Sequence, residues 1–269
     1  MASSLSQVKG VLIDISGTLQ LQGSLTLNAS SAINQLRKAG IQLRFVTNVT
    51  DETRSEITAK LHAAGIQAAE DEVYTSLQAA KAIVQESYFQ PYCLLPFKAK
   101  QEVYTGASPD EPNAVVIGHS PEHLNYRCMN EAFRILFEKE SKLIAVHKAT
   151  YFKVPKGVML GPGPFIEALE SSTGKKALFV GKPEPTFFYS VLKDIQIIAA
   201  ETVMIGDDVV ADVLGAYKAG LQGILVKTGA YVRGDERHIQ GKDYTFVAEN
   251  FAHAAEMILT AKNKKSTIL

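Results

Sequence analysis

Asp14 stands directly behind the apolar run Val11-Leu12-Ile13 in "VKGVLIDISGTLQ", and Ser16, Gly17 and Thr18 follow as a turn. The same arrangement, an apolar run ended by a group with chemistry to offer, recurs along the chain. "RFVTN" ends in Thr47-Asn48, "ALFVGKP" leads to Lys182, and "VMIGDD" leads to Asp207 and Asp208. The residue types are complementary. A carboxylate such as Asp14 is a nucleophile toward an electrophilic phosphorus. Asp207, with Asp208 beside it, offers the hard oxygen ligands that Mg2+ takes together with waters and phosphate. A divalent ion lets one anion approach another. Lys182 is a point charge that holds Asp14 ionised and stabilises a phosphoryl group in transit. Thr47 offers a hydroxyl, and backbone N–H groups at the start of a following helix cradle phosphate oxygens.

The elements that must position these groups are legible as short apolar runs alternating with amphipathic stretches. "LNASSAINQLRKAG" places Ala32, Leu36 and Ala39 at helical spacing and stops at Gly40. "DETRSEITAKLHAAG" opens on the cap-type residues Thr50 and Asp51 and closes at Gly65. "TFFYSVLKDI" and "VADVLGAYKAG" read as further helices, and "GILVKTG" as another strand. Such alternation predicts an α/β fold with a parallel sheet and right-handed crossovers. From about Gln85 to about Thr173 the pattern changes to several short apolar runs, with one helix-like stretch, "LNYRCMNEAFRILFEKE". Residues 1–85 and 174–269 are therefore expected to form a Rossmann-like doubly wound core, and residues 86–173 an inserted, smaller α/β unit acting as a lid. In a parallel sheet the carboxyl ends of the strands share one edge, and ligands bind in the crevice there. That edge would gather all four groups.

The set "DISGT", "TN", "GKP" and "GDDVVAD", in that order, resembles the four signature motifs of the haloacid dehalogenase superfamily. The insert resembles the C2-type cap of its phosphatase branches. The resemblance implies that Asp14 forms an aspartyl-phosphate, and that Mg2+ is bound by the Asp14 carboxylate, the Ser16 backbone carbonyl and Asp207. Asp208, where many relatives have a non-acidic residue, is the remaining candidate ligand. Thr47 would bind phosphate with Asn48 supporting its loop, Lys182 would orient nucleophile and phosphate, and Asp212 would steer Lys182 or a metal-bound water. Most phosphatases of the superfamily have a second aspartate where this chain has Ser16. General acid–base help is typically worth about 10²–10⁴ in rate. Its loss hurts an alkoxide leaving group most, so the expected substrates are small phosphorylated compounds with P–O–P or P–N bonds.

Composition sets the remaining bounds. Lys+Arg and Asp+Glu are both 28, which gives no overall field to draw in nucleic acid or an anionic membrane. The N-terminus lacks a charged and then apolar leader, and no apolar run approaches membrane-spanning length, so a cytoplasmic location is expected. Cys93 and Cys128 read as free thiols, and the six histidines show no zinc spacing. In the insert, "VHKATYFKVPKG" groups His147, Lys148, Tyr151 and Lys153. A solvated strand pair is the default reading there, and a substrate-contacting surface the alternative. A homodimer through the insert is open. "LGPGPF" reads as a turn with a helix opening at Pro164. Two other functions compete with the phosphatase: a catalytically weak scaffold or binding protein, and a dehalogenase- or phosphonatase-type hydrolase.

Overall fold

The computed structural model describes residues 4–21, 23–50, 52–106, 110–138, 140–154 and 157–266. The chain begins with β1 (Gly10–Asp14), a hairpin of β2 (Gln20–Leu21) and β3 (Ser24–Leu25), α1 (Ala29–Lys38), β4 (Gln42–Thr47), α2 (Arg54–Ala63) and β5 (Val73–Thr75). It continues through α3 (Ser76–Glu86), β6 (Pro91–Leu94), α4 (Phe97–Val103), β7 (Ala114–Ile117), α5 (Tyr126–Phe137) and β8 (Lys142–Ala145). The hairpin β9 (Tyr151–Val154) and β10 (Gly157–Leu160), α6 (Gly163–Thr173) and β11 (Leu178–Phe179) follow. The last third holds α7 (Pro185–Ile195), β12 (Thr202–Gly206), α8 (Gly215–Lys218), β13 (Gln222–Val226), β14 (Thr245–Ala248) and α9 (Phe251–Ser266). Contacts divide the chain into two compact units. Met1–Thr47, Arg54–Tyr74 and Lys182–Leu269 form the first, and Asn48–Thr53 with Thr75–Gly181 the second. In sequence the second is inserted into the first, and residues 75–85 and 174–181 go with it.

The first unit is built on a six-stranded sheet in the order β14-β13-β12-β1-β4-β5. Every residue of β1, β12 and β13 is buried. Central strands covered on both faces need apolar side chains in both directions, which is why these three read as unbroken apolar runs. Val11, Ile13, Val203 and Ile205 face one layer, where Ile33 and Leu36 of α1 and Phe251 and Ile258 of α9 close over them. Leu12 and Met204, one residue on, point to the opposite face and are equally buried. Each such side chain contributes about 1.5–3 kcal/mol by leaving water. β1 runs parallel to β12, with Ile13 opposite Ile205, and parallel to β4, with Asp14 opposite Val46. The chain leaves β1 toward β4 on one side and comes back to β12 on the other. The strand order therefore reverses at β1, and Asp14 ends the strand at that switch point.

Two helix readings change. α2 opens at Arg54, because Thr50 is buried in the loop before it instead of capping a helix; Asp51 lies outside the described residues. "VADVLGAYKAG" is not one α-helix. Val209–Leu214 winds as a π-turn before the short α8.

The second unit has its own parallel sheet, β11-β8-β7-β6. One face of it, with Leu94, Val115, Ile117, Leu143 and Ala145, packs on Ala132, Ile135 and Leu136 of α5 and on Ile166 and Leu169 of α6. α6 opens at Gly163 with Pro164 in its first turn, as predicted. α4, seven residues long, is too short to show a helical period and went unseen in the sequence. The strand in "ALFV" belongs to this sheet: Leu178 and Phe179 pair with Ile144 and Ala145 of β8. Only three of the four chemistry-bearing groups thus sit at strand ends of the larger sheet.

Candidate active site

Asp14 and Asp207 reach the site from neighbouring strands, at the last residue of β1 and just past β12. Lys182 arrives differently. It is the first residue of the core unit after the insert, just ahead of α7, and it is buried with its ammonium facing two carboxylates. Its Nζ donates to Oδ1 of Asp14 at 2.5 Å and to Oδ1 of Asp212 at 2.7 Å. Asp212 is supplied by the π-turn, and its Oδ2 accepts the Asp208 N–H at 3.2 Å. Oxygens of Asp14, Asp207 and Asp212 lie within 4.8 Å of one another, all three residues buried. Oδ2 of Asp14 has no hydrogen-bond partner among the described residues.

Three carboxylates around one ammonium carry a net charge of −2 when every group is ionised. The titration directions follow from burial first and from that count second. Burial pushes the Asp14 carboxyl well above its usual range, Lys182 pulls it back, and Asp212 and Asp207 add to the rise. Asp212 is raised by the same burial and by Asp207, again against Lys182. For Lys182, burial works against the charged form, but the charges of Asp14 and Asp212 and the hydrogen bonds to both outweigh it and raise the ammonium. Lys182 is therefore a permanent cation, and the carboxylates around it carry surplus negative charge whenever they are ionised. A cluster of hard oxygens lacking about two positive charges fits a divalent cation of the Mg2+ type.

The flanking turn fits it as well. Leu19 and Gln20 donate to the Ile15 carbonyl, and the Gly17 N–H donates to the Gln20 carbonyl at 2.7 Å. The Gly17 N–H and the Ser16 C=O share one trans peptide plane and point in opposite directions. The turn thus aims the Ser16 carbonyl away from its own hydrogen bonds, while the Ser16 side chain is exposed.

The other sequence candidates separate. Thr47 is buried at the end of β4, the strand beside Asp14. Asn48 belongs to the second unit, where its amide oxygen packs against Gly181. Asp208 is exposed and outside the carboxylate cluster; its Oδ1 accepts the N–H groups of Val210 and Ala211, both at 2.8 Å, and so caps the π-turn. His147, Lys148 and Tyr151 lie in the second unit. Lys148 is exposed, with its ammonium 5.1 Å from the centre of the Phe179 ring, and Tyr151 is exposed at the start of β9. Lys153 has a side chain outside the described residues.

Sequence reasoning missed the partners of Asp207. The Thr18 hydroxyl donates to its Oδ1 at 3.0 Å, and the Ala230 N–H donates to its Oδ2 at 2.5 Å. The available signal was the one used elsewhere: "KTGA" follows the apolar run of β13, as the other groups follow theirs.

His147 gives a stability prediction. Its ring, half-buried behind β8, is pulled down to about 4 by burial and by His119. In the unfolded chain it titrates near ~6.5. Above that pH neither state takes a proton. Between about 6.5 and about 4 only the unfolded chain does, so stability falls across that window, by at most about 3 kcal/mol. Urea unfolding at about pH 7 and about pH 4.5 should show a smaller acid-induced drop in His147→Gln than in the wild type. Equal drops would acquit the ring.

A doubly wound core with an α/β insert and a buried acidic centre beside a fixed lysine defines a class of capped α/β enzymes. Comparison with known proteins makes it specific. The family described as haloacid dehalogenase-like hydrolase matches residues 11–107, and a related HAD-hydrolase-like family matches residues 179–254. The chain is 44% identical to haloacid dehalogenase-like hydrolase domain-containing protein 2 of Mus musculus, over 94% of this chain and 96% of that protein. It is 37% identical to the phospholysine phosphohistidine inorganic pyrophosphate phosphatase of Homo sapiens, over 97% of each. The solved 4-nitrophenylphosphatase of Thermotoga maritima shares the fold, with a TM-score of 0.83, 24% identity, and coverage of 95% of this chain and 99% of that one. The chain belongs to the haloacid dehalogenase-like hydrolases. Among its described residues, no helix is long and apolar enough to cross a membrane.

Proposed function

We propose that this protein is a Mg2+-dependent phosphohydrolase that works through a phospho-aspartate on Asp14 and favours P–O–P or P–N bonds over alkyl monoesters. The observation that carries this reading is the buried pair of contacts from Lys182 to Asp14 and Asp212, with Asp207 in the same cluster. Asp14, Asp207 and the Ser16 carbonyl would hold the cation, which when bound neutralises phosphate oxygens so that a carboxylate can approach them. Lys182 holds Asp14 by Oδ1 and leaves Oδ2 to attack phosphorus, while the bond to the leaving group breaks. Asp212, through its own contact with Lys182, fixes where that ammonium sits. Thr47, at the neighbouring strand end, supplies a hydroxyl to phosphate, with Asn48 supporting its loop. The inserted unit would act as the cap, with His147, Lys148 and Tyr151 as its substrate contacts. A second copy of the chain would dock on the same unit, at the β9–β10 hairpin, where Val158 and Leu160 stand exposed. Soluble operation in the cytoplasm goes with this reading.

The leaving-group preference rests on Ser16. A hydroxyl cannot donate a proton as a carboxylic acid does near neutral pH, so only leaving groups that are stable without that proton depart fast. The name of the human relative, a phosphatase of phospholysine, phosphohistidine and inorganic pyrophosphate, supports the same substrate classes. Phosphate release with Mg2+ should be on the order of 10² faster from pyrophosphate and imidodiphosphate than from a hexose phosphate. A hexose phosphate that turns over faster than both would overturn the preference. Absence of metal-dependent turnover on all of them would return the chain to the scaffold reading.

A further inference from the structure

Asp207 is locked in place by two loops that interpenetrate around its carboxylate. One is the turn after β1. The other is the turn after β13, rooted where the Lys227 N–H donates to the Ala248 carbonyl and closed where the Tyr231 N–H donates to the Thr228 carbonyl. The Thr228 hydroxyl, half-buried, donates to the Gly17 carbonyl at 2.6 Å and ties one turn to the other. The approach is too close for any side chain. A Cβ on Gly17, whose φ is +88°, would lie 2.0 Å from Oδ2 of Asp207. A Cβ on Gly229, at φ +54°, would lie 2.1 Å from the same oxygen and 2.4 Å from the Cα of Gly17.

We infer that Thr228 is a positioning residue for the candidate metal centre. It acts through two groups it does not itself replace. The Gly17 carbonyl is held by Thr228 while the Gly17 N–H is held by Gln20, so both peptide planes of Gly17 are fixed, and with them the direction of the Ser16 carbonyl. The same tie sets Thr18, whose fully buried hydroxyl donates to Oδ1 of Asp207, and Ala230, whose N–H donates to Oδ2. Each carboxylate oxygen can accept more than one partner, so these bonds orient Asp207 and still leave lone pairs for a cation. Partners of this kind typically govern about 10–100-fold in metal affinity. The inference rests on the reading that Asp207 and the Ser16 carbonyl are ligands, and its test separates the two.

Mn2+ binding to the full chain, read from the loss of the free-ion electron paramagnetic resonance signal, needs no turnover. Thr228→Val keeps the side-chain shape and removes the hydroxyl, and it should bind Mn2+ about 10–100-fold more weakly than the wild type. Thr228→Ser restores the donor and should bind within about threefold of it, well inside that range. Thr228→Ala, which also removes the hydroxyl, should show a loss of the same order and carries the test if Thr228→Val does not fold. A Thr228→Val protein that binds as tightly as the wild type, while Asp207→Asn binds weakly, would overturn the positioning role and leave the metal site standing. Equal weakness of Thr228→Val and Thr228→Ser would overturn it as well, since the hydroxyl would not be the cause. Unaltered binding in Asp207→Asn would remove both the clamp and the ligand assignment beneath it.

Discussion

Asp14→Asn is expected to lower metal-dependent phosphate release by about 10⁴-fold or more, equivalent to roughly 5.5 kcal/mol of barrier. The amide is nearly the same shape but is not a nucleophile toward phosphorus, and the second carboxylate oxygen that Lys182 holds is Oδ1 of Asp212. Asp212 is held at both oxygens, Oδ1 by Lys182 and Oδ2 by the Asp208 N–H, so it stays in its positioning role, whereas Oδ2 of Asp14 carries no such bond. The fold should survive. Lys182 keeps Asp212 at 2.7 Å, and one of three mutually repelling buried carboxylates is gone. The metal-free variant should therefore melt no lower than the wild type, and the stabilisation that Mg2+ confers on the wild type should shrink. That pairing distinguishes loss of a nucleophile from general damage. Residual turnover above ~1% of the wild type would place the nucleophile elsewhere, because missing covalent catalysis leaves far less than that.

The parts of the site visible in the sequence were those where one residue's type and one strand's burial decide the outcome. "VLID" and "VMIGD" are buried on both faces, so their apolar runs are continuous and the carboxylates that end them stand out. Lys182 was found for a partly wrong reason. "ALFV" is apolar enough for a core strand, but hydrophobicity does not say which sheet a strand joins, and β11 pairs with β8 in the smaller one. Asp208 and Asp212 show the limit of spacing. An i, i+4 pair on an α-helix shares a face, whereas here Asp208 sits at the cap of a π-turn, exposed, and Asp212 turns inward, buried. The Thr18–Thr228 clamp was signalled only by the place of "KTGA" behind an apolar run, which does not say what its hydroxyl touches. A hydroxyl in a turn acquires meaning only once two glycines allow the turns to meet.

Ser16→Asp is expected to raise the rate on a hexose phosphate by about 10²–10³-fold and the rate on pyrophosphate by less than about tenfold, which reverses the substrate preference. The position can take the change. The hydrogen bonds of the turn run through the Ile15, Gly17, Leu19 and Gln20 backbone, and the side chain of residue 16 is exposed, so a carboxylate replaces a hydroxyl without disturbing a contact. Its surroundings also suit an acid. Negative charge that develops on a departing alkoxide favours the protonated form of a carboxyl beside it, the form that donates to it. The gain should be confined to poor leaving groups, since a phosphoanhydride or a protonated phosphoramidate departs without help, and the pH profile on the hexose phosphate should acquire a limb at high pH where the new acid ionises. Ser16→Asn, similar in size but without a transferable proton, should leave both rates near those of the wild type. Equal acceleration of both substrates by Ser16→Asp, or any comparable gain in Ser16→Asn, would show that the serine does not set the preference through proton transfer.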